Sequence, residues 1–266
     1  MGYMVLRRIV FLLALGLSAF ACADEMSSEL PVLRVGLPPF PPFAYPKESI
    51  GRGVVVDIFK MLEKELKVKV KIIYYPYPRV VESMRRGDLD LAIIFKNKSL
   101  TPYVTYIGEI SKSKVLIIPR KEFKIRSYDD LYSLGNIAVL RLANFESRFD
   151  SDTNINKFTI VNYESGFRML NVSRVDAIVG SQSGLEEALY NLELQSKVWG
   201  EPFVLNKKEW WLHLSNKSPY QTLIPDLKKA VEKIYREDLV WGLFAKAKGR
   251  RGTASMSTPT SESTSQ

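Results

Sequence analysis

Apolar and polar residues follow one plan that occurs twice along this chain. The stretch Arg79 to Phe95, RVVESMRRGDLDLAIIF, places Val81 and Met84 at helical spacing. Gly87 then suits the left-handed position that ends a helix, and Leu89 to Phe95 is a nearly unbroken apolar run around Asp90. Gly166 to Gly180, GFRMLNVSRVDAIVG, repeats this plan, with Phe167 and Leu170 on one helical face and Val175 to Val179 as an apolar run around Asp176. The preceding segments echo as well: LRVGL (Leu33 to Leu37) resembles IAVLR (Ile137 to Arg141), and KIIYY (Lys71 to Tyr75) resembles FTIVNY (Phe158 to Tyr163). Each half therefore reads as a strand, helix, strand, helix, strand unit. Continuous apolar strands alternating with helices predict an α/β fold whose mainly parallel sheets are flanked by helices.

Punctuation places the loops. Four prolines within Pro38 to Pro42 end the first strand and open a stiff loop carrying Phe40, Phe43 and Tyr45. Gly51 and Gly53 turn into a helix with Ile58, Leu62 and Leu66 at four-residue spacing, and Pro78 starts the next helix, putting Arg79 in its first turn. After the third strand comes the polar loop of Lys96, Asn97 and Lys98; in the second unit Arg141 ends the first strand and Asn144 is the expected helix cap. The aromatic segment Val198 to Leu214 reads as a return crossing, and Pro225 starts a helix with Leu227, Val231 and Ile234 on one face. A chain that crosses out and back makes two lobes joined by two crossings. The expected division is residues 31–118 plus 206–248 for the first lobe and 122–200 for the second.

The ends stand outside this pattern. Arg7 and Arg8 precede the short apolar run Ile9 to Ala21, which marks residues 1–23 as a secretory signal rather than a membrane span. Cleavage after Ala23 is expected, because bulky Phe20 fits poorly beside a lipid-bearing Cys22, the alternative mature start. Residues 249–266 are rich in Ser and Thr and read as a disordered tail.

Composition narrows the chemistry. The net charge of +9 falls to +7 without Arg7 and Arg8, and basic residues are interleaved with acids as on a solvated face, so no nucleic-acid partner is expected. Cleavage after Ala23 removes the one cysteine, leaving neither disulfide nor thiol. The single histidine, His213, lies in the alternating run WWLHLSN and reads as a strand residue. A His-rich zinc site and Ser-His-Asp chemistry are both excluded; no metal, cofactor or catalytic residue is expected. Asp88 and Asp90 read as turn and strand-start residues rather than as a catalytic pair.

The order and spacing of LRVG, PPF, GVVVDIFKMLEKEL, RRGDLDLAI and VDAIV, over roughly residues 32 to 245, resemble the family-3 extracellular solute-binding proteins. That resemblance implies the type 2 periplasmic binding (Venus-flytrap) fold. It also implies a periplasmic protein, expected as a monomer, that closes on a small solute, most often a polar amino acid, and delivers it to the permease of an ABC transporter. The chain departs from the family twice. The arginine that follows the third strand in amino-acid-binding members is missing from Leu100 to Val104, and the aspartate five positions beyond Asp176 is Ser181. Loss of both charged partners argues against a standard α-amino acid. The expected solute is anionic or carboxylate-bearing, held by Phe43, Tyr45, Arg79, Phe95, Lys96, Asn97, Arg141, Asn144 and Ser181. A sensing module of the same fold, signalling to a membrane receptor, is the alternative.

Overall fold

The computed structural model describes residues 30–45, 51–141, 143–192 and 198–249. The predicted leader, and the tail beyond Gly249, lie outside the described residues. Strand β1 (Val32–Leu37) is followed by α1 (Val54–Leu66), β2 (Lys69–Tyr74), α2 (Tyr77–Arg86) and β3 (Leu91–Phe95). The long strand β4 (Val104–Pro119) leads to β5 (Ile137–Leu140), α3 (Ser147–Ser151), β6 (Lys157–Ile160), α4 (Tyr163–Asn171), β7 (Ala177–Ser181) and α5 (Gln182–Leu192). The chain returns along β8 (Phe203–Ser215) and ends in α6 (Ile224–Ile234) and α7 (Leu239–Gly249).

Hydrogen bonds order the strands β2-β1-β3-β8-β4-β7-β5-β6, so both copies of the repeat use the same parallel arrangement, with the first strand between the second and third. The copies are joined by an antiparallel ribbon of β4 and β8 that runs from Val104 opposite Ser215 to Ile117 opposite Phe203. β3 uses one end of that ribbon, from Trp210 to Leu214, and β7 uses the other, from Val115 to Pro119. Three irregularities in the ribbon's register, between Tyr106 and Gly108, Glu109 and Ser111, and Val115 and Leu116, re-aim it between these ends. The result is a two-lobe fold with two hinge crossings.

Each half-sheet is covered on both faces. In the first lobe Leu33, Val35, Ile93, Leu212 and Leu214 pack with Ile58 and Leu62 of α1, Leu227 and Val231 of α6 and Phe244 of α7. Ala92 and Ile94, on the other face, meet Val80 and Met84 of α2. In the second lobe Ile118, Ala138, Ile160 and Ile178 pack with Phe167 and Leu170 of α4, while Ile117, Ile137 and Val179 pack with Phe145 and Phe149.

The αL turn predicted at Gly87 is present, with φ 82° and its N–H donating to the Ser83 carbonyl. A side chain there would carry strain. The buried face of α2 is Val80, Ser83 and Met84, one position earlier than the Val81 face expected from spacing. The register of the repeat also differs. Val35 pairs with Leu91 and Ile137 with Ala177, so Val35 is equivalent to Ile137, two residues from the match read off the sequence. A shift of two leaves every side chain on the same face, which is why apolar pattern alone does not distinguish the two alignments. Asn144 does not cap α3; Glu146 does, its carboxylate accepting from the Arg148 and Phe149 backbone N–H groups. No helix among the described residues is long and apolar enough to cross a membrane.

Candidate ligand-binding cleft

The two acids that precede the third strand of each unit are built into the opposite end of the sheets. The Asp90 carboxylate accepts from the backbone N–H of Arg34 (2.8 Å), from its Nε and Nη2 (both 2.9 Å), and from Ser218 Oγ (2.8 Å). Burial works to push the Asp90 carboxyl up, but the Arg34 and Ser218 hydrogen bonds outweigh it and hold the group below the usual carboxylate range. Asp176 accepts from Arg120 Nη2 (2.8 Å) and from the Gly135 backbone N–H (2.7 Å). These carboxylates join strands and loops at the starts of β3 and β7.

The carboxyl ends of the same strands carry the side chains predicted to meet a solute. Phe43 is buried, stacked with Phe40 at 6.1 Å between ring centroids and tilted against Trp210 at 4.8 Å. Phe95 lies 4.4 Å from Trp210. Asn97 accepts from the Ser99 N–H (3.0 Å) and donates through Nδ2 to the Tyr77 hydroxyl (3.0 Å), which fixes the turn beyond β3. Arg79 lies with its guanidinium 4.0 Å from the Tyr75 ring, and Lys96 Nζ is 3.8 Å from the Trp211 ring. Arg141 is exposed, tied to β6 by its backbone N–H on the Ile160 carbonyl (3.0 Å). Ser181 is buried, and its N–H donates to the Tyr163 hydroxyl (3.2 Å).

Contacts between the lobes draw several of these together. Phe40, in the proline loop, packs against the cores of both lobes and meets Tyr163 edge-on at 5.5 Å. The Tyr163 ring occupies the space in front of Gly180, where an added Cβ would lie 2.5 Å from it; glycine is what admits the ring. Burial pushes the Tyr163 hydroxyl up to about 12, so it stays protonated. The Tyr45 hydroxyl donates to Glu187 Oε1 of α5 at 2.6 Å, and Lys248 of α7 pairs with buried Glu186 at 3.5 Å. Glu186 and Glu187 thus bring acids to the lobe boundary from a helix, not from the strand-end loops.

Phe95 and Asn144 face one another through a residue the pattern did not single out. Lys208, midway along β8, donates from Nζ to the Asn144 carbonyl (2.5 Å) and lies 4.8 Å from the Phe95 ring. Burial pushes its ammonium below the ordinary lysine value. Two of the three lysines beside a hollow of about 380 Å³ along the ribbon differ: Lys207 pairs with Glu237 (3.1 Å) and Lys112 lies 3.9 Å from Glu109. Arg79, Lys96, Arg141 and Lys208 form no ion pair within 4.0 Å among the described residues. Phe40, Tyr163, Trp210 and Glu187 also lay outside the predicted set. Their signal was faint, a proline-fixed aromatic and three residues on elements remote from the loops in sequence.

His213 sits in β8, fully buried, with Nδ1 2.9 Å from the Trp211 carbonyl; burial pushes its pKa down to about 4, so it is neutral at physiological pH.

Residues 33–237 match the family of bacterial extracellular solute-binding proteins, family 3. The chain belongs to that family. No curated protein sequence matches it. Among solved structures, an ancestral arginine-binding protein bound to arginine is similar at 18% identity, with a TM-score of 0.63, over 82% of this chain and 98% of that one. The periplasmic VFT2 domain of Bordetella pertussis BvgS matches at 18% identity and TM-score 0.63, over 83% and 94% of the two chains. The GluR0 ligand-binding core of Nostoc punctiforme, in complex with L-glutamate, matches at 20% identity and TM-score 0.62, over 80% and 98%. These likenesses show the two-lobe fold; in this family-3 chain the cleft chemistry must be read from its own side chains.

Proposed function

We propose that the protein is a periplasmic solute-binding protein that captures a small anionic or carboxylate-bearing solute by lobe closure and delivers it to an ABC-type permease. The observation that carries this reading is a set of cations that form no ion pair within 4.0 Å among the described residues: Arg79 and Lys96 rest on aromatic faces, Arg141 is exposed, and Lys208, midway along β8, meets a backbone carbonyl. A cation held by a ring or carbonyl keeps N–H donors for an anion, and charge-assisted hydrogen bonds are the strong ones. Phe43, Tyr45, Phe95, Asn97, Asn144 and Ser181 complete the proposed site. Closure requires a ligand that interacts better with the shut state than with the open one, which an anion bridging residues of both lobes provides. Residues 31–118 plus 206–248 and residues 122–200 are the bodies we assign to that motion.

Native mass spectrometry of gently purified protein, with identification of the released molecule, tests the reading. An anionic solute is expected; a cationic solute would overturn it. N-terminal sequencing of the exported protein is expected to begin at Asp24, and a mature start at lipid-modified Cys22 would move the protein to the membrane surface.

A second reading is a sensing module that signals to a membrane receptor. It is favoured by the match to BvgS periplasmic domains and by direct side-chain contacts between the lobes, Phe40 on Tyr163 and Tyr45 on Glu187. Crosslinking in intact cells separates the two, since a permease subunit is captured in one case and a sensor in the other.

A further inference from the structure

We propose that Lys208 is the anchor for the solute's anionic group, and that the solute is a carboxylate on a ring-bearing, apolar body. This rests on the reading that a solute binds between the lobes. Lys208 belongs to the ribbon strand β8 and stands where the lobes face each other, between the Phe95 ring and the Asn144 carbonyl. Of the three donors of an ammonium, one is used on that carbonyl. The acid nearest in electrostatic terms, Asp150, makes no ion pair with it within 4.0 Å, and its two oxygens accept from the Phe145 backbone N–H at 3.0 and 3.1 Å. A half-buried ammonium compensated in this way gains from a carboxylate, because desolvation of the charge has already been met by the fold.

The ring nearest the ammonium, Phe95, begins a row that limits the rest of the molecule. Phe95, Trp210, Phe43, Phe40 and Tyr163 form a run of rings with successive centroid separations of 4.4, 4.8, 6.1 and 5.5 Å. The last step, Phe40 to Tyr163, crosses from one lobe to the other. When the lobes part, those two rings lose their contact, and a flat apolar body placed between them restores it through offset or edge-on packing. A small, fully hydrated anion such as phosphate offers nothing to that step. The inference thus separates an aryl carboxylate from an inorganic anion or an aliphatic diacid, all of which share the anionic chemistry.

Phenylacetate, succinate and inorganic phosphate are the probes, titrated calorimetrically into the parent, K208M, K208R and F40A. Phenylacetate is expected to bind the parent best. Its affinity should fall about ten- to a hundredfold in K208M, the loss of one charge-assisted bond, and recover in part in K208R. In F40A, phenylacetate affinity should fall while any succinate affinity stays. Melting curves establish that each variant is folded; if K208M is not, K208R and F40A carry the test. Equal phenylacetate affinity in parent and K208M overturns the anchor. Binding of succinate or phosphate through Lys208 with no response to phenylacetate overturns the ring-bearing class and leaves the anionic reading standing. No response to any probe, by protein that releases no anion in native mass spectra, overturns both.

Discussion

The two ends of the parallel strands in this protein use the same charged residue types in opposite ways. At the strand starts, Arg34 and Arg120 are bound to Asp90 and Asp176, with hydrogen-bond distances of 2.8 to 2.9 Å between the charged groups. At the strand carboxyl ends, Arg79 and Lys96 lie on the faces of Tyr75 and Trp211, and Lys208 lies between a ring and a carbonyl. A bidentate guanidinium–carboxylate pair leaves little donor capacity and holds two segments in one geometry. A ring satisfies a cation's charge without exhausting its N–H groups. The contrast teaches that the paired charge of Arg34 and Arg120 belongs to the fold, whereas Arg79, Lys96 and Lys208 carry the charge that the proposed function gives to a solute, and each half of that statement has a measurable consequence.

The largest effect is expected at Asp90. Asp90→Ala removes a fully buried carboxylate and strands the Arg34 and Ser218 donors, which should cost about 3 kcal/mol in urea unfolding, the value moderated because Arg34 is partly exposed to water. Because its folded pKa is depressed, Asp90 contributes stability that is present above the unfolded pKa of about 3.9 and is lost as pH falls through the folded value. Acid unfolding of the parent below about pH 4 should therefore be steeper than that of Asp90→Asn. A variant with the parent's acid slope would remove Asp90 as the fold's main charge latch.

His213 sharpens the same pH profile in a separate window. Its folded pKa of about 4 is depressed by burial, so the unfolded chain takes up a proton first as pH falls from about 6.5 towards 4, and stability declines over that range. The decline should reach about 2 to 3 kcal/mol near pH 4 and be missing in His213→Gln, leaving the Asp90 step below it. Histidine NMR that shows protonation near 6.5 in the folded protein would contradict this. Asp176→Ala should cost less, about 1 to 2 kcal/mol, since Asp176 is more exposed than Asp90 and makes two described hydrogen bonds. Equal costs at Asp90 and Asp176 would mean that burial is not what separates the two latches.

The acids at the strand starts and the cations Arg79, Lys96 and Arg141 at the carboxyl ends were legible in the sequence, whereas the partners each would meet were not, for a physical reason. Asp90 and Asp176 each stand one turn after a helix and before an apolar run, so local periodicity finds them, together with Gly87 and the elements on either side. Their backbone N–H groups even make the same bond, to the Arg34 and Asn136 carbonyls at 2.8 Å; the match of Asp90 to Asp176 is the one the repeat implied, while Arg34 and Asn136 match only in the register shifted by two. The cleft is assembled from segments far apart in the chain. Lys208 meets a carbonyl 64 residues away, and Tyr45 meets a helix 142 residues away. Pattern within a window carries no information on such pairs, so the residues read from the loops held Phe43, Phe95 and Asn144 but not Lys208, which stands between the last two.

The smallest effect is the one on which the comparison depends most. Lys96 is exposed, with Nζ 3.8 Å from the Trp211 ring and 5.4 Å from Tyr106, an arrangement worth about 0.5 to 1 kcal/mol at an exposed site. Lys96→Met keeps the stem against the ring and removes the charge, so its urea midpoint should move by less than about 1 kcal/mol in stability terms. Arg79→Ala removes the stem over Tyr75 as well as the charge, and since Arg79 is exposed its cost should also stay within about 1 kcal/mol. Both variants should nevertheless weaken binding of the protein's own solute, and weaken it less at high salt, because an exposed cation acts on an anion through a field that ions screen. Loss of 2 kcal/mol or more in either variant would show that the carboxyl-end cations hold the fold as the strand-start arginines do. Unchanged affinity at low salt in both would leave Lys208 as the cation that meets the anion and reduce the outer two to solvated surface.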